Sequence, residues 1–282
     1  MSSNLSELLS LATAKLAEVG SSDSSRLDVE LLLAHVLDCN RTWLFTWPEY
    51  ELTDEQIKAF DELLNRRMIG EPIAYILKKR EFWGLTFECN ESTLIPRPDT
   101  ELLIDTALSL DLPEKARVLD LGTGTGAIAL ALASEKPNWR ISAVDISSNA
   151  IALAKRNAQS LKLESIDWYC GSWFEPIPDN SLFDLIISNP PYVEANSPWL
   201  HQGDVRFEPK TALTAGVDGM DDFQIIAREA SIYLVKNGFL LLEHGFEQAE
   251  LLTNLLHKQR FQSVQSLSDL AGLDRAVLGV KA

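Results

Sequence analysis

Apolar residues recur at helical spacing through the first quarter of the chain. They lie three or four positions apart over residues 5–16 and again over residues 27–34. The run Thr53-Asp54-Glu55-Gln56 is a capping box, which predicts a helix that begins there and continues to about Arg67. Residues 1–72 are therefore predicted to form a small all-α helical bundle.

The pattern changes between residues 73 and 98. Two short runs rich in aromatic and β-branched residues, 81–87 and 92–95, are separated by Cys89-Asn90-Glu91. Such runs on either side of a polar turn are typical of paired strands. We expect residues 73–98 to form a β-hairpin that links the helical bundle to the rest of the chain.

Strand-like and helix-like segments alternate after Pro98. This alternation predicts an α/β domain over residues 99–282, in which a mainly parallel, seven-stranded sheet is covered by helices on both faces. Ligands of such sheets bind outside the carboxyl ends of the strands. The predicted strands are 117–121, 140–145, 166–170, 183–188, 238–243, 262–267 and 275–281, and the predicted helices are 127–134, 148–160, 221–234 and 246–259.

Composition limits the classes of protein to which the chain can belong. Of 282 residues, 46% are hydrophobic, which suffices for two domains with buried cores. No apolar run has the length of a membrane span and no signal-peptide pattern is present, so we expect a cytoplasmic protein. The four histidines are scattered, and no metal site is predicted. The isolated cysteines predict reduced, core-packed thiols at Cys39, Cys89 and Cys170.

The net charge of −16 argues against tight binding to a nucleic-acid backbone, because that affinity comes mainly from Lys and Arg. No direct DNA binding is therefore expected, and a basic partner or a small substrate fits better. The cluster Lys78-Lys79-Arg80, close in sequence to Arg66-Arg67, is a local exception. It is either a solvated basic edge or an edge that faces RNA or an acidic partner.

A glycine-rich turn lies between a predicted strand and a predicted helix. Because glycine has no side chain, its backbone can approach a ligand closely, which indicates a nucleotide-like cofactor. Taken alone, such a turn could also hold NAD. Asp145 follows the next strand and is placed to bind two ribose hydroxyls, although it could instead serve only as an acid at a helix N-terminus. The turn comprises Gly122, Thr123, Gly124, Thr125 and Gly126.

A second motif, Asn189-Pro190-Pro191-Tyr192, follows the buried strand 183–188. Proline lacks an N–H and has a fixed φ, so the two prolines make the turn rigid and leave carbonyl groups available. The Asn189 side-chain oxygen and the Pro190 carbonyl can together accept both hydrogens of a planar NH2 group, while Tyr192 supplies a flat face. On turn chemistry alone, the motif could also be a simple turn.

These motifs together resemble S-adenosylmethionine-dependent methyltransferases that act on planar nitrogen, and specifically the bacterial HemK/PrmC family of release-factor glutamine methyltransferases. The resemblance spans essentially the whole chain. It implies a Rossmann-like S-adenosylmethionine-dependent methyltransferase domain at residues 99–282, preceded by a bundle that helps to hold the protein substrate. The segments that match are 70–76, 80–83, 95–101, the glycine turn, 189–192, 202–209 and 242–245.

The resemblance also implies the chemistry and the residues that perform it. The expected reaction methylates the glutamine amide of the Gly-Gly-Gln motif in peptide chain release factors and leaves S-adenosylhomocysteine, with the protein acting as a monomer. Ser172 stands where family members commonly carry an acid that meets the adenine amino group, so no such contact is expected. The implied cofactor-binding residues are Gly122, Thr123, Gly124, Thr125, Gly126, Asp145, Trp173 and Asn189, and the implied catalytic and substrate-binding residues are Asn189, Pro190, Pro191 and Tyr192.

Some alternatives remain at this stage. Trp173 could be an ordinary core residue, and Arg97 and Glu101 are weaker candidates because their turn could be purely architectural. A glutamine methyltransferase of a large-subunit ribosomal protein would share the motif at 189–192. DNA adenine methyltransferases carry a similar motif but need a basic cleft. A non-catalytic module that senses S-adenosylmethionine is disfavoured by the complete motif.

Overall fold

The computed structural model describes residues 4–20 and 24–282, and the chain divides into two compact units. The first unit runs to Lys79 and includes Pro198–Phe207. The second unit comprises Arg80–Ser197 and Glu208–Ala282. The domain bounds at 72/73 and 98/99 stay a prediction. The grouping of residues 198–207 with the helical unit was not foreseen from the sequence.

The first unit is helical, as its apolar spacing predicts. Asn4 caps α1 by accepting a hydrogen bond from the Glu7 N–H, and Gly20 ends it in the left-handed conformation. The expected capping box of α4 is present at Thr53 and Gln56. The helices are α1 (Leu5–Val19), α2 (Ser25–Val36), α3 (Arg41–Thr46), α4 (Asp54–Met68) and α5 (Ile73–Ile76). They enclose a core that includes Leu5, Leu9, Leu16, Val29, Leu32, Leu33, Phe60 and Leu64.

A buried arginine crosslinks this unit. Arg67 on α4 is 4% exposed, and its guanidinium donates to Asp28 on α2 at 2.7 Å. A second donation, at 2.9 Å, reaches Asp204 in the segment 198–207. The same Nη1 atom that reaches Asp204 also lies within hydrogen-bond distance of the carbonyls of Gly70 and Glu71, at 3.3 Å and 3.0 Å. Arg67 is thus a structural residue and does not belong to an exposed basic edge.

The hairpin lies at a different place from the one predicted. Strand β1 (Lys79–Phe82) pairs with β2 (Leu85–Glu88), and no strand forms at residues 92–95. The turn is Trp83-Gly84, and both residues have positive φ values, 51° and 67°. A two-residue turn with two positive φ values matches the twist of paired strands. The predicted turn at residues 89–91 is wrong because the chain already reverses at Trp83-Gly84, inside a run whose aromatic composition favours a strand.

The second unit is built on a seven-stranded sheet in the order β5-β4-β3-β6-β7-β9-β8. Strands β3 to β7 run parallel, whereas β9 pairs antiparallel with both β7 and β8. The α/β class and the seven strands are confirmed. The elements are α6 (Glu101–Ser109), β3 (Arg117–Leu121), α7 (Ala127–Glu135), β4 (Arg140–Asp145), α8 (Ser148–Leu161), β5 (Ile166–Cys170), β6 (Phe183–Ser188), α9 (Asp221–Tyr233), β7 (Leu234–Glu243), α10 (Ala249–Lys258), β8 (Phe261–Ser268) and β9 (Asp274–Lys281).

The central strands are buried on both sides, as expected for a parallel sheet between helix layers. Four of the five residues of β3 and five of the six of β6 are buried. Helix α7 is apolar on every side, and all of Ala127–Ala133 are buried. This burial fixes the ends of β3 and β6, from which the two sequence motifs project.

The hairpin is fastened within the second unit by Asn157 of α8, which is 1% exposed. Its side-chain oxygen accepts from the Glu88 N–H at 2.7 Å, and its NH2 group donates to the carbonyls of Glu88 and Thr125. Trp83 donates its backbone N–H to Glu101 and its indole N–H to Glu135. Asn157 thus joins β2 to the glycine turn.

Three expectations from the composition concern membrane spans, metal sites and the burial of the cysteines. Among residues 4–20 and 24–282, no helix has both the length and the apolar character to span a bilayer, and no three His, Cys, Asp or Glu side chains are grouped for a metal ion. All three cysteines are unpaired thiols. Cys89 is buried, but Cys170 ends β5 in solvent, so its predicted core packing is wrong.

Candidate active site

The two sequence motifs meet where the strand order of the sheet reverses. The chain passes from β3 outward to β4 and β5 and then returns to β6 on the other side of β3. The glycine turn follows β3, and Asn189 follows β6, so both lie at the carboxyl ends of neighbouring strands. A crevice at such a switch point is the usual ligand site of open α/β sheets.

All three glycines of the turn need the conformational freedom of glycine. Gly122, Gly124 and Gly126 have φ values of 71°, 55° and 83°, in the left-handed region that other residues rarely adopt. The N–H groups of Gly122 and Thr123 both donate to the Val144 carbonyl at 2.9 Å. The turn is thus held on β4. Gly122 and Gly124 leave the backbone open, whereas Gly126 is buried and packs closely against its neighbours.

Asp145 ends β4 directly beside this turn. One carboxylate oxygen accepts from the Gly124 N–H and the other from the Ser147 N–H, each at 2.9 Å. Burial raises the pKa of Asp145, and the two hydrogen bonds oppose that shift. Each oxygen of a carboxylate has two lone pairs, so acceptor capacity remains for hydroxyl groups. Ser147, and not Asp145, caps α8, so the helix-start interpretation of Asp145 accounts for only part of its contacts.

Asp120 supports the turn from inside the sheet. Its side chain is fully buried and accepts from the Thr123 hydroxyl at 2.5 Å and from the Ala129 N–H at 3.2 Å. Burial raises the pKa of this carboxyl to about 7. Asp120 therefore joins the turn to the start of α7 and acts as a structural residue.

Trp173 faces the turn from beyond the end of β5. A methyl group built on Gly122 would lie 3.6 Å from the indole ring and 4.0 Å from the Asn189 carbonyl oxygen. Trp173 has a φ of 45°, a conformation that costs a non-glycine residue about 1–3 kcal/mol. Its side chain hydrogen-bonds to Asp222 and packs on the edge of the main core. Trp173 is therefore both a core-edge residue and a wall of the crevice.

Within residues 4–20 and 24–282, the side-chain amide of Asn189 is hydrogen-bonded through its NH2 group only. Its NH2 group donates to the Thr100 hydroxyl at 3.1 Å, and Thr100 itself is 5% exposed. Asn189 remains half-buried. With the nitrogen directed to Thr100, the side-chain oxygen is the atom left to accept a hydrogen bond from a ligand.

The rest of the motif is fixed by its neighbours. The Tyr192 N–H donates to the Leu213 carbonyl at 3.2 Å, and the Tyr192 carbonyl accepts from the Gln248 side chain at 3.0 Å. The Tyr192 hydroxyl donates to Glu243 at 3.4 Å. Pro190 is buried and Pro191 is half-buried between these anchored residues. These contacts hold the backbone and the hydroxyl of Tyr192, and the rigidity expected from the prolines stays a prediction.

Sequence reasoning assigned no role to several residues that support this turn. Thr100 and Glu243 both lie in segments that carry the family resemblance, yet only their meeting in space identifies them as partners of Asn189 and Tyr192. A buried acid at the end of a central strand was the available signal for Glu243. Gln248 and Gly219 gave no signal, because both act through the Tyr192 backbone.

The weaker candidates have structural partners. Arg97 donates to the buried carboxylate of Glu208 at 2.7 Å, and Glu101 accepts from the Trp83 N–H at 2.9 Å. Both contacts tie segments of the second unit together. Ser172 stands beside Trp173 and is half-buried.

The residues present fit S-adenosylmethionine. The open backbone at Gly122 and Gly124 offers room for the nucleoside part, and Asp145 offers carboxylate oxygens beside it. The indole ring of Trp173 and the Asn189 carbonyl both lie beside Gly122. A carboxylate with spare acceptor capacity next to a glycine turn suits a ribose with two free hydroxyls.

Comparisons with known proteins agree with this geometry. A family profile described as "PrmC N-terminal domain" matches residues 7–77, and one described as "Methyltransferase small domain" matches residues 98–201. A crystal structure of a methyltransferase from Pyrococcus furiosus superposes with a TM-score of 0.55 at 17% identity, covering 79% of this chain and 99% of that one. The structural likeness supports the methyltransferase fold.

Similarity to curated proteins extends over nearly the whole chain. The release factor glutamine methyltransferase of Shewanella oneidensis is 50% identical over 275 residues, which are 98% of this chain and 95% of that protein. The Escherichia coli protein of the same name is 46% identical and covers 94% of this chain, with 95% of its own length matched. The chain belongs to the release factor glutamine methyltransferase family.

Proposed function

We propose that this protein transfers a methyl group from S-adenosylmethionine to the side-chain amide nitrogen of the glutamine in the Gly-Gly-Gln motif of peptide chain release factors. The observation that carries the proposal is the orientation of Asn189. Its NH2 group is bound to Thr100, so its oxygen is left to accept from a substrate NH2 group beside the glycine turn. The family relationship supports the substrate class.

The residues of the turn act mainly by orientation and charge placement. An amide nitrogen is a weak nucleophile because its lone pair is delocalised into the carbonyl group. The Asn189 oxygen and the Pro190 carbonyl accept the two N–H groups and so hold the nitrogen in one direction. Both acceptors also stabilise the positive charge that develops on nitrogen as it gains a methyl group and the sulfonium sulfur becomes a neutral thioether. The methylated nitrogen then loses one proton to solvent water, which leaves a neutral N-methyl amide. Tyr192 lies against the plane of the amide.

Cofactor binding is assigned to the opposite side of the crevice. S-adenosylmethionine supplies an electrophilic methyl group on a sulfonium sulfur, and S-adenosylhomocysteine remains after transfer. We assign the nucleoside part of S-adenosylmethionine to the turn from Gly122 to Gly126 and its ribose hydroxyls to Asp145. Trp173 and Asn189 make further contacts with the cofactor in this assignment. We place the reaction in the cytoplasm, where release factors act on ribosomes, and propose a monomeric enzyme.

Transfer of a labelled methyl group tests the proposal. The purified protein is incubated with labelled S-adenosylmethionine and one of three substrates: a release factor, the same factor with its Gly-Gly-Gln glutamine changed to alanine, or large-subunit ribosomal protein. Label on the unaltered factor alone is expected. Label on the ribosomal protein alone would move the assignment to the ribosomal type of glutamine methyltransferase. Cofactor binding without transfer to any of the three would contradict enzymatic activity.

A further inference from the structure

The Asn189 amide is the first member of a chain of hydrogen bonds that ends at a buried carboxyl group. Asn189 donates to the Thr100 hydroxyl at 3.1 Å. Thr100 in turn hydrogen-bonds to the side chain of Glu243, which is 2% exposed at the end of β7. The Tyr192 hydroxyl donates to the same carboxyl group at 3.4 Å. The buried carboxyl group of Glu243 therefore contacts Tyr192 directly and Asn189 through Thr100.

The direction of these hydrogen bonds depends on the charge of Glu243. An ionised carboxylate has no proton and can only accept, so the single proton of the Thr100 hydroxyl is donated to it. The Thr100 oxygen then presents only lone pairs to Asn189. Only the NH2 end of the Asn189 amide can satisfy these lone pairs, and the amide oxygen is turned toward the substrate.

We propose that Thr100 and Glu243 are positioning residues, which fix the Asn189 amide with its oxygen toward the substrate by setting the direction of the hydrogen bonds. This inference rests on the proposed function, because it concerns how that site accepts the glutamine NH2 group. A protonated Glu243 can donate to Thr100, and the Thr100 proton is then free to point at Asn189. In that arrangement the Asn189 amide turns over and presents its NH2 group to the substrate. An NH2 group is a donor, so it cannot accept a hydrogen bond from the glutamine NH2 group.

The surroundings of Glu243 bring its ionisation close to neutral pH. Burial raises the pKa of Glu243 to about 7, with Asp99 raising it further and Thr100, Tyr192 and Arg275 opposing the shift. Its Oε2 atom has no hydrogen-bond partner within the described part of the chain. The fraction of ionised Glu243 therefore falls as the pH drops through about 7, and the fraction of correctly oriented Asn189 falls with it.

Four variants and a pH profile test the inference. Thr100→Val keeps the shape of the side chain but removes the hydroxyl, and kcat is expected to fall about tenfold or more. Thr100→Ser restores a hydroxyl and is expected to recover kcat to within about threefold of wild type. Thr106→Val makes the same exchange as Thr100→Val on α6, outside the chain of hydrogen bonds, and is expected to leave kcat unchanged. The KM for S-adenosylmethionine is expected to change little in all three.

Glu243→Gln is the fourth variant. Glutamine cannot change its charge, but its oxygen can still accept from Thr100. Its kcat is expected to be about threefold to tenfold below wild type. The decline of kcat below about pH 7, expected in the wild type, is expected to be absent in this variant.

The outcomes separate this inference from the proposed function. If wild type transfers no methyl group to release factor, the proposed function fails. If wild type is active but Thr100→Val retains full kcat, or if Glu243→Gln keeps the same acid decline as wild type, the inference is wrong and the proposed function stands. Thermal unfolding of each variant identifies any loss of kcat that arises from unfolding.

Discussion

At the scale of single residues, an asparagine can present either an oxygen or an NH2 group to a ligand. The hydrogen-bond partner on the far side of the amide decides which of these two groups faces the ligand. The NH2 group of Asn189 is on Thr100, which leaves the side-chain oxygen to face a ligand. The motif predicts an acceptor role for Asn189, which stays a prediction, and its contact with Thr100 is visible only in three dimensions.

Loss of the Asn189 side chain is expected to slow methyl transfer. Asn189→Ala removes one of two acceptors for the glutamine NH2 group, so kcat is expected to fall at least roughly tenfold to a hundredfold. Asn254→Ala, at an exposed position of α10, is the matched control and is expected to match wild type. Single-turnover transfer of labelled methyl groups measures both. An unchanged rate in Asn189→Ala would rule out the proposed role of the motif.

At the scale of elements, the turn that follows β6 depends on a neighbouring glycine. Gly219 has a φ of 71°, and a Cβ atom there would lie 2.3 Å from the Tyr192 carbonyl oxygen. The backbone of Tyr192 would have to move to admit even a methyl group. The Tyr192 carbonyl also accepts from Gln248, so the movement would disturb that hydrogen bond as well.

Gly219→Ala is therefore expected to reduce kcat at least about tenfold, because it displaces Tyr192. Gly272→Ala is the matched control, since Gly272 also has a positive φ, 80°, but has open space around its missing side chain. Gly272→Ala is expected to lose about 1–2 kcal/mol of unfolding free energy from backbone strain. Gly219→Ala is expected to lose more than Gly272→Ala, because its Cβ atom also clashes with the Tyr192 carbonyl. Kinetics below the unfolding temperature then compare the two. Equal kcat values for both variants would contradict the proposed role of the Gly219–Tyr192 contact.

The buried arginine of the helical unit gives a prediction about stability. Arg67→Met leaves Asp28 buried without its guanidinium partner, and the free energy of unfolding is expected to fall by about 3–5 kcal/mol. Arg156→Met changes an arginine that is 48% exposed and pairs with Glu88, which is itself 43% exposed, and is expected to cost less than about 1 kcal/mol. Urea unfolding of both variants measures the difference. Similar losses of unfolding free energy in the two variants would show that the hydrogen bonds of Arg67 to Asp28 and Asp204 contribute no more than a surface ion pair.

The sequence predicted the strands of the parallel sheet well and the short turn of the hairpin poorly. The strands β3 to β6 match their predicted ranges, and β3 and β6 are buried apolar runs. The hairpin was misplaced because Trp83 adopts a positive φ, which its residue type does not predict. The chain of hydrogen bonds through Thr100 and Glu243 was missed since it joins residues more than fifty positions apart.

At the scale of the whole molecule, the net charge of −16 favours association with a basic partner region. If that attraction guides the release factor, kcat/KM is expected to fall by roughly tenfold as added salt shortens the screening length from about 30 Å to about 8 Å. A short uncharged Gly-Gly-Gln peptide is the control substrate, and its kcat/KM is expected to stay constant. A salt-independent kcat/KM for the full factor would count against electrostatic attraction.

The account as a whole depends on which atom receives the methyl group. Tandem mass spectrometry of release factor treated with wild-type protein and S-adenosylmethionine identifies the modified residue directly. We predict one methyl group on the side-chain amide of the Gly-Gly-Gln glutamine, and at least roughly tenfold less of it after equal treatment with Asn189→Ala. Methylation at another residue, or equal modification by the variant, would contradict the account.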